Sequence, residues 1–134
     1  MNGAGKTTTF KILTGDLAPS SGTAFVKNND VVRQKSAVRR NLGYCPQFEG
    51  LLDQLTGRQH LALFARLRGH SGEKLRAMVD DALGRLQLSE YATRTVGKYS
   101  GGNRRKLSTA IALLTEPEVI LLVSKKKELR IAIA

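Results

Sequence analysis

Residues 2–10 read NGAGKTTTF, and this stretch decides the fold. Gly-Lys-Thr followed by a helix-forming run is the second half of the pattern G-x-x-x-x-G-K-[ST], in which backbone N–H groups cradle phosphates. Glycines let those N–H groups turn inward with no Cβ in the way. A helix starting there points its positive end at the anion. Residues 6–13 continue as a short helix that Gly15 stops. The pattern's first glycine would lie upstream of Met1.

Outward from that loop, the chain alternates elements in an α/β order. APSSG (18–22) is a turn; residues 23–26 and 31–32 suit short strands, and residues 42–45 suit a strand ended by Pro46. The middle turns helical. Residues 59–67 carry Leu61, Phe64 and Leu67 on one side. Residues 71–88 place Leu75, Met78, Val79, Ala82, Leu83 and Leu86 at helical spacing. A third helix spans residues 101–114, and PEVILLV (117–123) reads as a buried strand of a parallel sheet.

The 134 residues supply one domain's worth of chain, 41% hydrophobic and therefore not a disordered composition. No apolar run approaches bilayer-spanning length, and the start lacks a signal-peptide core. The single cysteine, Cys45, forms no internal disulfide. With 22 basic and 11 acidic residues the formal net charge is +11, which raises nucleic acid as a partner. The basic residues are dispersed and no base-stacking aromatics or zinc-ligand spacing accompany them, so nucleic acid is not expected and a basic surface on an anion-binding domain is.

Three further stretches follow the loop in order: YCPQFEGLLDQLTGRQHL, YSGGNRRKLSTAIALL and EPEVILL. Together with NGAGKTTTFKILTGD they resemble the nucleotide-binding domain of ATP-binding cassette (ABC) transporters, above all the A subfamily, eukaryotic full-length transporters that mostly move lipids. The likeness runs over residues 2–122. It implies an α/β P-loop NTPase cassette with a helical subdomain, about residues 50–99, inserted between the Q-loop and the signature motif. Residues 123–134 read as an unrelated basic tail, and the chain as one truncated at both ends.

The resemblance also implies roles. Asn2, Gly3, Gly5, Lys6, Thr7 and Thr8 match the Walker A loop, where Lys6 reaches the β- and γ-phosphates of ATP and Thr7 coordinates Mg²⁺. Gln47 matches the Q-loop glutamine, which contacts the Mg²⁺ and attacking-water region. Ser100, Gly101, Gly102 and Asn103 match the signature motif, which touches ATP held by the opposite cassette. A hydroxyl, glycine N–H groups and a helix dipole all suit an anion. Implied partners are a second nucleotide-binding domain and the transmembrane domains of a parent transporter, at the cytoplasmic face of a membrane.

The pattern breaks at the Walker B strand. The family has Asp then Glu where this chain has Val123 and Ser124; Glu128 comes only after three lysines. No switch histidine follows, and His60 and His70, in the helical stretch, read as surface histidines. Phosphoryl transfer depends on positioning and charge neutralisation. A chain deficient in hydrolysis is therefore expected. The alternative is a non-enzymatic module that pairs with an intact cassette through its signature motif.

Overall fold

The computed structural model describes residues 5–45, 50–123 and 129–133. The chain divides into two compact units, residues 1–44 with 117–134, and residues 45–116.

The first unit opens with helix α1 (Lys6–Leu13), whose Phe10 is buried among Val26, Val31, Val38, Leu42 and Leu121. Thr14 caps the helix and Gly15 follows at φ +78°. A two-residue hairpin, β1 (Phe25–Val26) and β2 (Asn29–Asp30), comes next. Its turn residues Lys27 and Asn28 both hold positive φ, the twist that two-residue hairpins prefer. The strand expected at residues 31–32 is absent. Asp30 Oδ1 accepts the Val32 and Arg33 N–H groups at 2.7 and 3.0 Å and bends the chain into a turn. Helix α2 (Lys35–Asn41) was not foreseen; it buries only Val38, too little to print a helical period.

Strand β3 (Leu42–Cys45) forms as expected, in a sheet of order β3-β4-β5 with β4 (Val119–Val123) and β5 (Leu129–Ile133). β4 and β5 run antiparallel, paired from Val119↔Ile133 to Val123↔Leu129. On that edge the parallel-sheet expectation fails. Residues 124–128 are too few for the crossover of a dozen or more residues that a parallel neighbour requires.

The second unit is helical: α3 (Gly57–Leu67), α4 (Gly72–Arg85) and α5 (Gly101–Leu113), with short 3₁₀ turns at Ser89–Tyr91 and Val96–Lys98. Its core takes Leu61 and Ala65 from α3, Leu75, Val79, Ala82 and Leu83 from α4, and Leu107 and Ala110 from α5. Leu67 departs from the expected stripe and is 72% exposed. The buried face of α3 is Gly57, His60, Leu61 and Ala65, so the last turn carries Leu67 past it.

Candidate functional site

The phosphate-type loop ends at Gly5, which caps α1 in the left-handed region (φ +69°, ψ 0°). That conformation is costly for a residue with a Cβ, although among the described residues no atom lies within 4 Å of where one would stand. Lys6 is the first helical residue; Thr7 and Thr8 are exposed in the first turn, and no acidic residue stands there. Thr9 closes the turn onto the Gly5 carbonyl with its N–H (2.9 Å) and its hydroxyl (3.0 Å). Buried Phe10 seats the helix, so its positive end is fixed in direction. Asn2 and Gly3 lie outside the described residues, as does Gln47.

In the second unit Ser100 caps α5. Its Oγ accepts the Asn103 N–H at 3.2 Å, and its carbonyl accepts the Arg104 N–H at 2.9 Å. Ser100, Gly101 and Gly102 are exposed, and among the described residues no atom lies within 4 Å of a Cβ on Gly101. The four signature-matched residues thus occupy one helix start.

That start is braced from behind. Tyr99 is buried, and its hydroxyl donates to the Tyr91 carbonyl at 2.6 Å. Burial pushes the Tyr99 phenol above its ordinary range, outweighing the Gly57 backbone hydrogen bond and the charge of Arg94. A Cβ on Gly57 would overlap the Tyr99 hydroxyl, so only glycine fits there. The loop before α3 is tied to the same place: Val96 N–H donates to the Leu55 carbonyl (2.8 Å) and Gly97 N–H to the Asp53 carbonyl (3.0 Å).

His60 corrects the sequence reading. It is 1% exposed and not a surface residue. Nε2 accepts the Leu52 N–H at 2.9 Å, which leaves Nδ1 to donate to the Thr56 carbonyl at 3.0 Å. An imidazole with both nitrogens bonded is a satisfied core group. Its role is to shape the 52–56 loop. His70 is half-buried. Thr56 and Gln59 form a reciprocal capping box on α3, whose T-x-x-Q spacing is visible in the sequence; the bonds of His60 and Asp53 leave no such trace.

Val123 is the last residue of β4, paired with Leu129; Ser124 and Glu128 lie outside the described residues. Among the described residues no cluster of three or more His, Cys, Asp or Glu side chains is arranged to hold a metal, and no helix is long and apolar enough to cross a membrane.

A helix opened by a left-handed glycine directly before Lys6 and Thr7, in a unit that also holds a sheet, is the arrangement of the P-loop class. The chain belongs to the ABC transporter family, whose model matches residues 1–122. It is 51% identical over 122 residues to ATP-binding cassette sub-family A member 7 of Mus musculus, covering 91% of this chain and 6% of that protein. It is 53% identical over 122 residues to the retinal-specific phospholipid-transporting ATPase ABCA4 of Bos taurus, covering 91% of this chain and 5% of that protein. These likenesses place it in the A subfamily. The chain therefore spans about a twentieth of the length of these curated relatives. Among solved structures it resembles cbiO1 of Clostridium perfringens, part of the ABC transporter complex cbiONQ, with TM-score 0.81 and 26% identity over 97% of this chain and 53% of that one.

Proposed function

We propose that this chain is the ATP-binding module of an A-subfamily transporter, one that holds nucleotide and hydrolyses it poorly. The observation that carries the reading is the start of α1: a left-handed glycine cap, exposed Thr7 and Thr8, and no acidic residue. These features suit a polyphosphate. Lys6 would neutralise the terminal phosphates, and Gly3 and Gly5 would present backbone N–H groups. Thr7, with Gln47, would be the donors toward Mg²⁺. Bound Mg²⁺ would neutralise charge on the phosphates. The donor set is incomplete, because Val123 and Ser124 stand where the family has carboxylates. The chain retains what anchors an anion and lacks what orders and activates a water.

In the parent protein this module would sit at the cytoplasmic face of a membrane, beside a second cassette and transmembrane domains. A phospholipid is the expected cargo class, as the name of the bovine relative indicates for that protein.

The test is ATP binding by the purified chain with and without Mg²⁺. Lys6→Ala should weaken binding by about tenfold to a hundredfold, the worth of one charge-assisted hydrogen bond. Phosphate release should remain at background. Turnover that Lys6→Ala abolishes would refute the hydrolytic deficiency; affinity unchanged by Lys6→Ala would refute the site.

A further inference from the structure

Away from the starts of α1 and α5, the second unit holds a cavity of about 280 Å³ between α4 and the C-terminal end of α5. Its floor is apolar, with Met78, Ala82 and Leu86 from α4 and Ala110 and Leu113 from α5. The hollow follows from side-chain size. Ala82 and Ala110 are buried, and their methyl groups leave room that larger side chains would close in a fully packed interior. The volume is about twice that of an engineered apolar cavity that takes up benzene. An apolar floor under a few polar groups is the usual make-up of a small-molecule site.

The two ends of the cavity differ in charge. At one end Arg85 is clamped: Nε donates to Asp81 Oδ2 at 2.8 Å and Nη2 to Glu116 Oε1 at 3.4 Å. Two carboxylates there outweigh one guanidinium, so this end repels an anion. Thr115 is committed as well, its hydroxyl accepting from Arg68 Nη1 at 3.2 Å. At the other end stand His70 and Lys74. Lys74 precedes Asp81 by two turns of α4, about 10 Å along the helix axis. Among the described residues no hydrogen bond or ion pair engages either the His70 ring or the Lys74 ammonium. An apolar body carrying one acidic group suits all of this at once. It covers the floor, pairs with Lys74 and keeps its charge away from Asp81 and Glu116. A neutral solute gains only the floor, and a bare anion gains only the lysine.

We propose that this cavity is a binding site for a small amphipathic acid, a carboxylate on an apolar chain or ring. The acid group lies at Lys74 and the body rests on Ala82 and Ala110. The nucleotide loop belongs to the other unit, so occupation of the cavity needs no ATP.

The experiment titrates octanoate into the purified full chain and follows backbone amide shifts by NMR, with 1-octanol and acetate as controls. Octanoate should bind saturably with a Kd of about 1 mM or tighter, as suits a ligand of its size. The shifts should cluster on residues 78–86 and 110–116, which line the cavity. Octanol should bind more weakly, and acetate should not saturate. Lys74 is exposed, so Lys74→Glu leaves the core alone. It should weaken octanoate about fivefold to tenfold and leave octanol within about twofold, as expected when an exposed pair is lost and a like charge put in its place. Ala110→Leu fills the floor and should abolish binding of both. Should it fail to fold, Leu113→Trp fills the cavity from a half-buried position and is read in its place. Shifts that do not saturate, or that scatter over both units, overturn the inference. So does octanol bound as tightly as octanoate, octanoate binding unchanged in Lys74→Glu, or octanoate binding that survives the filled floor.

Discussion

Gly57→Ala tests whether the support of α5 is built as the contacts indicate. Gly57 is the first residue of α3, and an added Cβ would overlap the Tyr99 hydroxyl and stand 3.3 Å from its ring carbon Cζ. The ring has little room to yield. Tyr99 is buried, its hydroxyl is bonded to the Tyr91 carbonyl, and its ring meets Tyr91 edge-on at 6.0 Å between centroids. Overpacking of this kind costs about 1–3 kcal/mol. If the hydroxyl swings away instead, the lost hydrogen bond costs about 0.5–1.5 kcal/mol. Alanine returns about 0.5–1 kcal/mol through its lower unfolded-state entropy. By the overpacking route the net expectation is a destabilisation of about 0–2.5 kcal/mol, centred near 1 kcal/mol, which lowers the melting temperature by about 3–6 °C for a chain of this size. Thermal melts followed by circular dichroism give the value. Tyr99→Phe removes the atom that the new Cβ would meet, so the double variant should be less destabilised than the sum of the singles by about 1 kcal/mol. Strict additivity of Gly57→Ala and Tyr99→Phe would refute the contact as described.

Other consequences follow from the same geometry. Gly84 lies exposed inside α4 with no atom of the described residues within 4 Å of a Cβ, so Gly84→Ala should stabilise by about 0.5–1 kcal/mol in urea titration. Asp30 is held below its ordinary carboxylate range, first by the Arg33 N–H, with the Val32 N–H and Thr23 hydroxyl assisting against a desolvation that opposes them. A depressed carboxylate contributes stability above its unfolded value, about pH 4, and that contribution is lost as pH falls through the folded value. Acid titration of Asp30→Asn should therefore show a shallower loss than wild type, and parallel curves would argue against the turn. Tyr99 shifts the other way. Its raised phenol leaves stability intact below the unfolded value, about pH 10, and loses it as pH rises through the folded value. Alkaline melts of Tyr99→Phe should lack that component.

What was legible in the sequence followed the size of the buried pattern. α4 and α5 bury several apolar residues each at helical spacing, and α1 is announced by Gly-Lys-Thr at its start. The Ser100 cap was legible because capping is local, reaching only to Asn103. α2 was not, since Val38 alone anchors it. The β1–β2 turn uses Lys27 and Asn28 at positive φ, where a glycine would have signalled it. Val31 is buried like a strand residue, yet the Asp30 side chain ends the strand one position earlier. His60 looked like surface because imidazole is polar; its two partners are backbone groups of the loop before it, which no side-chain pattern reveals. Arg104 and Asp53 meet across 51 residues, and neither residue type carries a mark of the other.

The family match stops at Leu122, one residue before β4 ends, and β5 lies wholly beyond it. Yet β4 is the strand most in need of partners: Ile120 and Leu121 are buried, and a buried strand must satisfy its backbone on both edges. β3 meets one edge; β5 meets the other through five consecutive pairs, among them Val123↔Leu129. A segment outside the family-like stretch therefore holds β4, the strand whose end the proposed function reads as lacking its carboxylates. The scaffold and the chemistry separate at this point. Burial and a complete ladder keep β4 in place whatever side chain stands at position 123, whereas ordering a metal or a water needs a carboxylate there. The proposed function rests on this separation: the cassette fold is kept by burial and strand pairing, and hydrolysis would depend on side chains that the fold does not need.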